Sequence, residues 1–179
     1  METAVANQWG IDIAHSQIQF KVKHLVITTV TGNFKEFSAS VEADEDFSSL
    51  SASFEAKVAS IETGNEMRDN HLKSEDFFAA EAFPTLNFVS TNFEKTDEEN
   101  FVLTGDLTIR DITQSVTLKG TYGGTMTDPW GNVKAGFELS GKVSRKSFGL
   151  LWNAVTEAGG AVVSDDVKIV ADIQLVKQA

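Results

Sequence analysis

Strict alternation of apolar and polar residues recurs along almost the whole chain, and it constrains the fold more than any other feature. Ile18, Phe20, Val22 and His24 share one face against Gln19, Lys21 and Lys23. Phe37, Ala39, Val41 and Ala43 alternate with Ser38, Ser40 and Glu42, and Phe54, Ala56 and Val58 with Glu55 and Lys57. Leu86 and Phe88 open another run, which Val89 and Phe93 blur. The clearest run is Phe101, Leu103, Gly105, Leu107 and Ile109 against Val102, Thr104, Asp106 and Thr108. Runs beginning at Val116, Ala135 and Val167 complete a set of eight strands, with a short lead-in at Trp9 to Ile13. A period of two places alternate side chains on opposite faces of a strand. One apolar and one polar face is the antiparallel pattern, because parallel sheets bury both faces. Eight such strands make a sandwich or a closed barrel, and periodicity alone leaves both open.

Three details qualify this plan. Gly105, Gly120 and Gly141 fall on apolar faces, where a strand glycine relieves crowding or permits a bend. Asp128-Pro129-Trp130-Gly131 reads as a tight turn. Thr63-Gly64-Asn65-Glu66 has capping-box spacing, with Met67, Arg68, His71 and Leu72 behind it at helical intervals. Ser74, followed by Glu75 and Asp76, predicts the cap of a second short helix that Phe83-Pro84 ends. One helical insertion is therefore expected between the third and fourth strands. Residues 144 to 163 read as irregular, and the chain 1–179 reads as one domain without repeats or linkers.

Composition narrows the chemistry. Apolar residues make up 41% of the chain, ample for a core. Thirteen Phe against one Tyr suits a dry interior or an apolar cavity, since Phe carries no polar handle. The absence of Cys excludes disulfides, thiolate metal sites and cysteine nucleophiles. A net charge of −11 argues against nucleic acid and anionic membrane surfaces as partners. His15, His24 and His71 are widely and irregularly spaced, so no metal site is expected, and phosphate loops and nucleophile elbows are missing. Asp69 and His71 diverge on a helix and make no acid–base pair. No stretch approaches the roughly 20 apolar residues of a membrane span. The start of the chain lacks a signal peptide's pattern, so a cytoplasmic location is expected, or a periplasmic one had a leader been removed.

Longer strings are more specific. They include Val22-Lys23-His24, Arg68-Asp69-Asn70-His71-Leu72-Lys73-Ser74-Glu75-Asp76-Phe77-Phe78, Phe83-Pro84-Thr85-Leu86-Asn87-Phe88 and Gly105-Asp106-Leu107-Thr108-Ile109-Arg110-Asp111. Asp128-Pro129-Trp130-Gly131 and Arg145 with Phe148-Gly149 follow. In this order the chain resembles the YceI-like family of bacterial proteins, from about Trp9 to Val176. The resemblance implies a lipocalin-like antiparallel β-barrel. It also implies an elongated apolar cavity for a long-chain isoprenoid lipid, such as a polyprenyl diphosphate or polyprenyl quinone, held for storage or transport. No cofactor is implied. Family members are often homodimers.

Given that resemblance, the candidate ligand-binding residues are the inward-facing Phe20, Val22, Phe54, Phe88, Phe101, Leu103, Phe137 and Leu139. Their alternative role is a filled core. His24 is a candidate head-group contact or a hydrogen-bonded core residue. Arg68 can meet a diphosphate, or it can join Asp69 in ion pairs that tie the helix to the barrel. His71, Phe77 and Phe78 belong to the same insertion, whose phenylalanines plug it onto the barrel. Arg145, Phe148 and Trp152 are expected to border the mouth opposite, and Arg110 to be solvated in its turn. The rival readings are an enzyme acting on a lipid or quinone-like substrate in the same pocket, and a solidly packed interaction protein.

Overall fold

The computed structural model describes residues 7–150 and 163–178, apart from 26 and 45. In chain order the strands are β1 (Asn7–Ile11), β2 (Gln17–His24), β3 (Thr28–Phe34), β4 (Phe37–Ala43), β5 (Leu50–Lys57) and β6 (Ile61–Glu62). The helix α1 (Glu66–Leu72) follows, then β7 (Thr85–Lys95), β8 (Asn100–Ile109), β9 (Ile112–Thr127), β10 (Val133–Ser144) and β11 (Val163–Lys177). The ring β1-β4-β5-β7-β8-β9-β10-β11 closes where β1 pairs with β11, Trp9 opposite Lys177. This closed eight-stranded antiparallel barrel with one short helix settles the choice between barrel and sandwich. Among the described residues, no helix is long and apolar enough to cross a membrane.

Three barrel rods are broken in the middle. A 3-10 turn at Ile13–His15 separates β1 from β2, yet both run along β11, which meets β1 at Trp9–Ile11 and β2 at Gln17–His24. Likewise β3 and β4 are nearly continuous, and β6 continues the line of β5 to pair with β3. The strand β3 was not expected from the sequence. Its inward positions are Val30, Gly32 and Phe34, and threonines and Gly32 leave too few apolar residues for the alternation to register.

Glycine explains how the wall stays thin. Gly32 lies opposite Phe20 and Gly120 opposite Phe101, and in each pair the phenyl ring occupies the space that a Cβ would need. The Phe88 ring lies the same way against Gly105. Crowding relief is thus the role of the apolar-face glycines, and the rings lie along the wall instead of projecting to the axis. The blurred run in β7 has a related cause. A bulge between Ser90 and Asn92 shifts the pleat, so Phe88 and Phe93, of opposite parity, both pack inward.

Chain direction places the connections at two ends. At one lie the β4–β5, β7–β8 and β9–β10 turns, including the expected turn at Asp128–Gly131. Aromatic packing closes this end. Phe47, held at positive φ in the β4–β5 connection, sits 5.3 Å from each of the rings of Trp9, Tyr122 and Phe137. At the other end lie the β2–β3 and β8–β9 turns, α1 with the 73–84 segment, and the 3-10 turn Arg145–Phe148.

The insertion differs from expectation in two respects. Asn65, not Thr63, caps α1, its side chain accepting from the Arg68 amide at 3.0 Å. The second helix does not form. Ser74 instead organises turns, its carbonyl accepting from the Phe77 and Ala79 amides, with Ala79 at positive φ. The two acids after Ser74 therefore favour no helix, because the chain must bend within one turn to insert Phe77 and Phe78.

Candidate functional site

The barrel encloses a cavity of about 400 Å³. Phe101, Leu103, Phe137 and Leu175 line it toward the closed end, and Phe54, Phe88, Leu139 and Ile169 line it further up. Their inward placement follows from strand parity. Polar groups gather at the other end, where Lys23, His24, Arg68 and His71 meet the cavity beside Val22 and Phe20. Lys23 and Arg68 are exposed, so this end is the mouth.

The 73–84 segment roofs the mouth end. Phe77 and Phe78 both line the cavity, and Phe78 meets Phe34 edge-on at 6.1 Å, itself 5.8 Å from Phe20. The His71 ring stands edge-on to Phe77 at 5.0 Å, and its Nε2 lies 2.8 Å from the Asp76 carboxylate. Arg68 does not enter the expected ion pair, among the described residues. Its Nε donates to the Thr63 hydroxyl and Nη2 to the Thr63 carbonyl, both at 2.7 Å. Asp69 accepts from the Thr63 amide at 2.8 Å. Both charges therefore fasten the start of α1 to the segment leading out of β6, by hydrogen bonds.

Arg110 is not solvated as expected. It and Asp111 take positive φ in the two-residue β8–β9 turn. Its Nη1 donates to the carbonyls of Glu75, Phe77 and Gly149 at 3.0–3.3 Å. One guanidinium thus joins three separate connections over the mouth end. No local sequence signal announces this, because the three acceptors are backbone atoms distant in the chain.

Arg145 and Phe148 line the cavity but do not form an exposed rim, for Arg145 is 3% and Phe148 1% exposed. The Arg145 Nε donates to the Ser164 carbonyl at 2.8 Å, Nη1 to Leu150 at 2.6 Å and Nη2 to Val163 at 3.1 Å. Burial lowers its pKa from the ordinary value, and the charge of Asp165 opposes that shift. An arginine stays charged under such a shift, so this is a buried cation held by peptide dipoles. Trp152 lies outside the described residues. Every other candidate from the sequence, from Phe20 to Phe148, lines this one cavity. Unanticipated lining residues include Val30 and Phe34, from the strand whose pattern Gly32 interrupts, and Leu150.

The chain is similar to known proteins along most of its length. The model of the YceI-like domain matches residues 9–175. A UPF0312 protein of Staphylococcus aureus strain USA300 is 39% identical over 165 residues, which cover 91% of this chain and 94% of that protein. The crystal structure of a Campylobacter jejuni YCEI protein superposes with a TM-score of 0.77 at 33% identity, covering 88% of this chain and 90% of that one. Burkholderia cenocepacia BcnA superposes at 0.78 with 25% identity over 92% and 98% of the two chains. A domain from Saccharophagus degradans, described as polyisoprenoid binding and implicated in plant cell wall breakdown, shares the fold at 0.66 with 11% identity, covering 95% and 98%.

Proposed function

The chain belongs to the YceI-like family, and from that premise we propose that its barrel binds a long-chain isoprenoid or related amphiphilic lipid for storage or transport. The observation that carries this reading is the apolar cavity that one end closes and a polar mouth opens. A tail enters past α1 and lies along Phe20, Phe54, Phe88, Phe101, Leu103 and Phe137, while Val22 and Leu139 flank it. The head group, a diphosphate or a quinone, stays at the mouth within reach of His24, Arg68 and His71. Phe77, Phe78 and Phe148 shield the upper tail from water.

Magnitudes favour a binder without strong polar contacts. A tail that removes roughly 400 Å² of apolar surface from water gains about 10 kcal/mol at ~25 cal/mol/Å². Association and ordering offset much of this, and micromolar or tighter affinity remains. Tail burial dominates, so selectivity among head groups is expected to be loose. The description of the Saccharophagus degradans domain, which has the same fold, agrees with a polyisoprenoid tail.

Native mass spectrometry of protein purified without detergent, followed by organic extraction, tests the reading. A stoichiometric polyprenyl species supports it and identifies the head. A clean apo mass that polyprenyl lipids leave unchanged overturns it.

A further inference from the structure

The outer face of the barrel sorts its charges along the axis in an unusual way. Lys142 on β10 lies directly opposite Lys168 on β11, and Lys168 lies directly opposite Lys21 on β2. Three like charges thus form one row across three strands, within roughly 10 Å at the usual ~4.8 Å strand spacing. Directly opposed like charges destabilise a sheet. None of the three has an ionic partner among the described residues. Among the described residues of these three strands, the next acid along this face is Asp166, opposite Ser144 one pleat nearer the mouth, and it makes no ion pair with them. Four residues toward the closed end, Glu138 faces Asp172 on the same two strands. Exchanging one acid with one lysine would turn two repulsive pairs into two attractive ones. The arrangement forgoes that stabilisation and separates the signs instead.

The two ends of the barrel differ in net charge. At the closed end, the end of β4 carries Glu42, and the β4–β5 and β7–β8 connections carry Asp44, Asp46, Asp97, Glu98 and Glu99. The mouth end exposes acids as well, Glu66, Glu75, Asp76, Glu81 and Asp111, but there Lys23, Arg68, Lys73 and Arg110 stand among them, so the excess of the −11 charge lies toward the closed end. Large apolar side chains are exposed at both ends, Met126 at 75% and Trp130 at 84% beside the β9–β10 turn of the closed end, and at the mouth on the β2–β3 turn and α1. Ile27 on the β2–β3 turn is 79% exposed and Met67 at the start of α1 is 84% exposed. The adjoining Leu25 is exposed at positive φ. Lys23 joins the lysine row to the rim, since it lies on the same outer face two residues from Lys21 and touches the mouth.

We propose that the barrel docks mouth-first on an anionic lipid bilayer, with Lys21, Lys168 and Lys142 against headgroup phosphates and Ile27 and Met67 in the interfacial layer. The lysine row lies about 10 Å from the β2 strand end at ~3.3 Å per residue, close enough for long lysine side chains to meet the headgroup layer in a tilted pose. The acidic closed end is repelled from the same surface, so the molecular dipole orients the approach. The net charge of the whole chain argued against anionic membranes, and the distribution of that charge reverses the conclusion for this one face. Docking in this pose sets the mouth at the bilayer, where a lipid transfers without crossing water. That consequence rests on the carrier reading, and the docking itself does not.

Flotation with vesicles of phosphatidylcholine, alone or mixed with phosphatidylglycerol, tests the proposal. The wild type is expected to float at least tenfold more with the anionic vesicles at low salt, and high salt is expected to release it. The triple variant K21Q/K142Q/K168Q should lose this preference, and Ile27→Ser should weaken flotation without changing its salt dependence. Lys168→Glu, which sets an acid between Lys21 and Lys142, should raise the thermal midpoint while it abolishes flotation. Equal flotation of wild type and triple variant, or no anionic preference, overturns the proposal. Retention on a soluble polyanion without vesicle flotation overturns it in favour of a soluble partner. Lipid content measured on the same preparations separates the two readings. Barrels that dock yet stay empty after incubation with polyprenyl lipids uphold this proposal and sink the carrier reading, whereas loaded barrels that do not dock sink this proposal alone.

Discussion

Adding a single methyl group at Gly120 tests whether the cavity owes its width to phenyl rings laid flat over glycines. A Cβ at Gly120 would meet three ring atoms of Phe101, and even the farthest of them, Cε1, would lie only 2.7 Å away. Ordinary carbon–carbon contact needs about 3.5–4.0 Å, so the ring must move by roughly 1 Å or more. Phe93 stands 5.1 Å from the ring centre and Phe137 5.9 Å, which leaves the lumen as the open direction. Overpacking of this kind costs about 1–3 kcal/mol, and the empty lumen places the expected cost of Gly120→Ala in the apo protein at the lower end of that range. The displaced ring then occupies space that a tail needs. A tenfold loss of affinity cuts the ligand-induced stabilisation from about 2.7 kcal/mol, at a lipid concentration 100 times the wild-type Kd, to about 1.4 kcal/mol. Urea unfolding with and without a polyprenyl lipid measures both quantities. Gly136→Ala serves as the control, because a Cβ there meets nothing within 4 Å. Wild-type stability in Gly120→Ala, together with undiminished stabilisation by lipid, would refute the reasoning.

Two further predictions concern the ends of the barrel. Asp12 follows β1 and accepts from Lys134 Nζ at 2.7 Å and Gln174 Nε2 at 3.2 Å, and chiefly the bond to Lys134 lowers its pKa to about 2. A depressed carboxylate pKa contributes stability that is present above the unfolded value near 4 and is lost as pH falls through about 2. Asp12→Asn should therefore be less stable at neutral pH and lose less between pH 4 and 2, and parallel urea-midpoint curves for the two proteins would contradict this. Arg145→Met removes one guanidinium's hydrogen bonds to three carbonyl oxygens and should cost on the order of 3 kcal/mol. Arg145→Lys should recover only part of that, because an ammonium cannot reproduce the planar fork. Full recovery in denaturant unfolding would mean that charge alone matters at this position.

Much of the site was legible because a strand exposes alternate side chains to one side. Phe20, Phe54, Phe101 and Leu139 face the lumen as their parity requires. The failures have local causes. Gly32 removed one of three apolar marks from β3, and the bulge after Ser90 reversed the parity of Phe93. Ser74 carries a good cap signal, but turning Phe77 and Phe78 toward the cavity demands turns where the acids would favour a helix. Arg110 looked like an ordinary turn residue because all three of its acceptors are backbone carbonyls, 33 to 39 residues away in sequence.

By itself the sequence determined that the strands are antiparallel, which side chains share a face, and which family the chain resembles. These follow from a period of two and from local strings, and both are properties of neighbours in the chain. Closure by β1 on β11, the plugging of one end by Phe47, and the alignment of Lys21, Lys168 and Lys142 were decided by the tertiary structure alone. Each depends on strand register between segments separated by tens to well over a hundred residues. Alternation says which face a residue is on, and only pairing says what lies beside it.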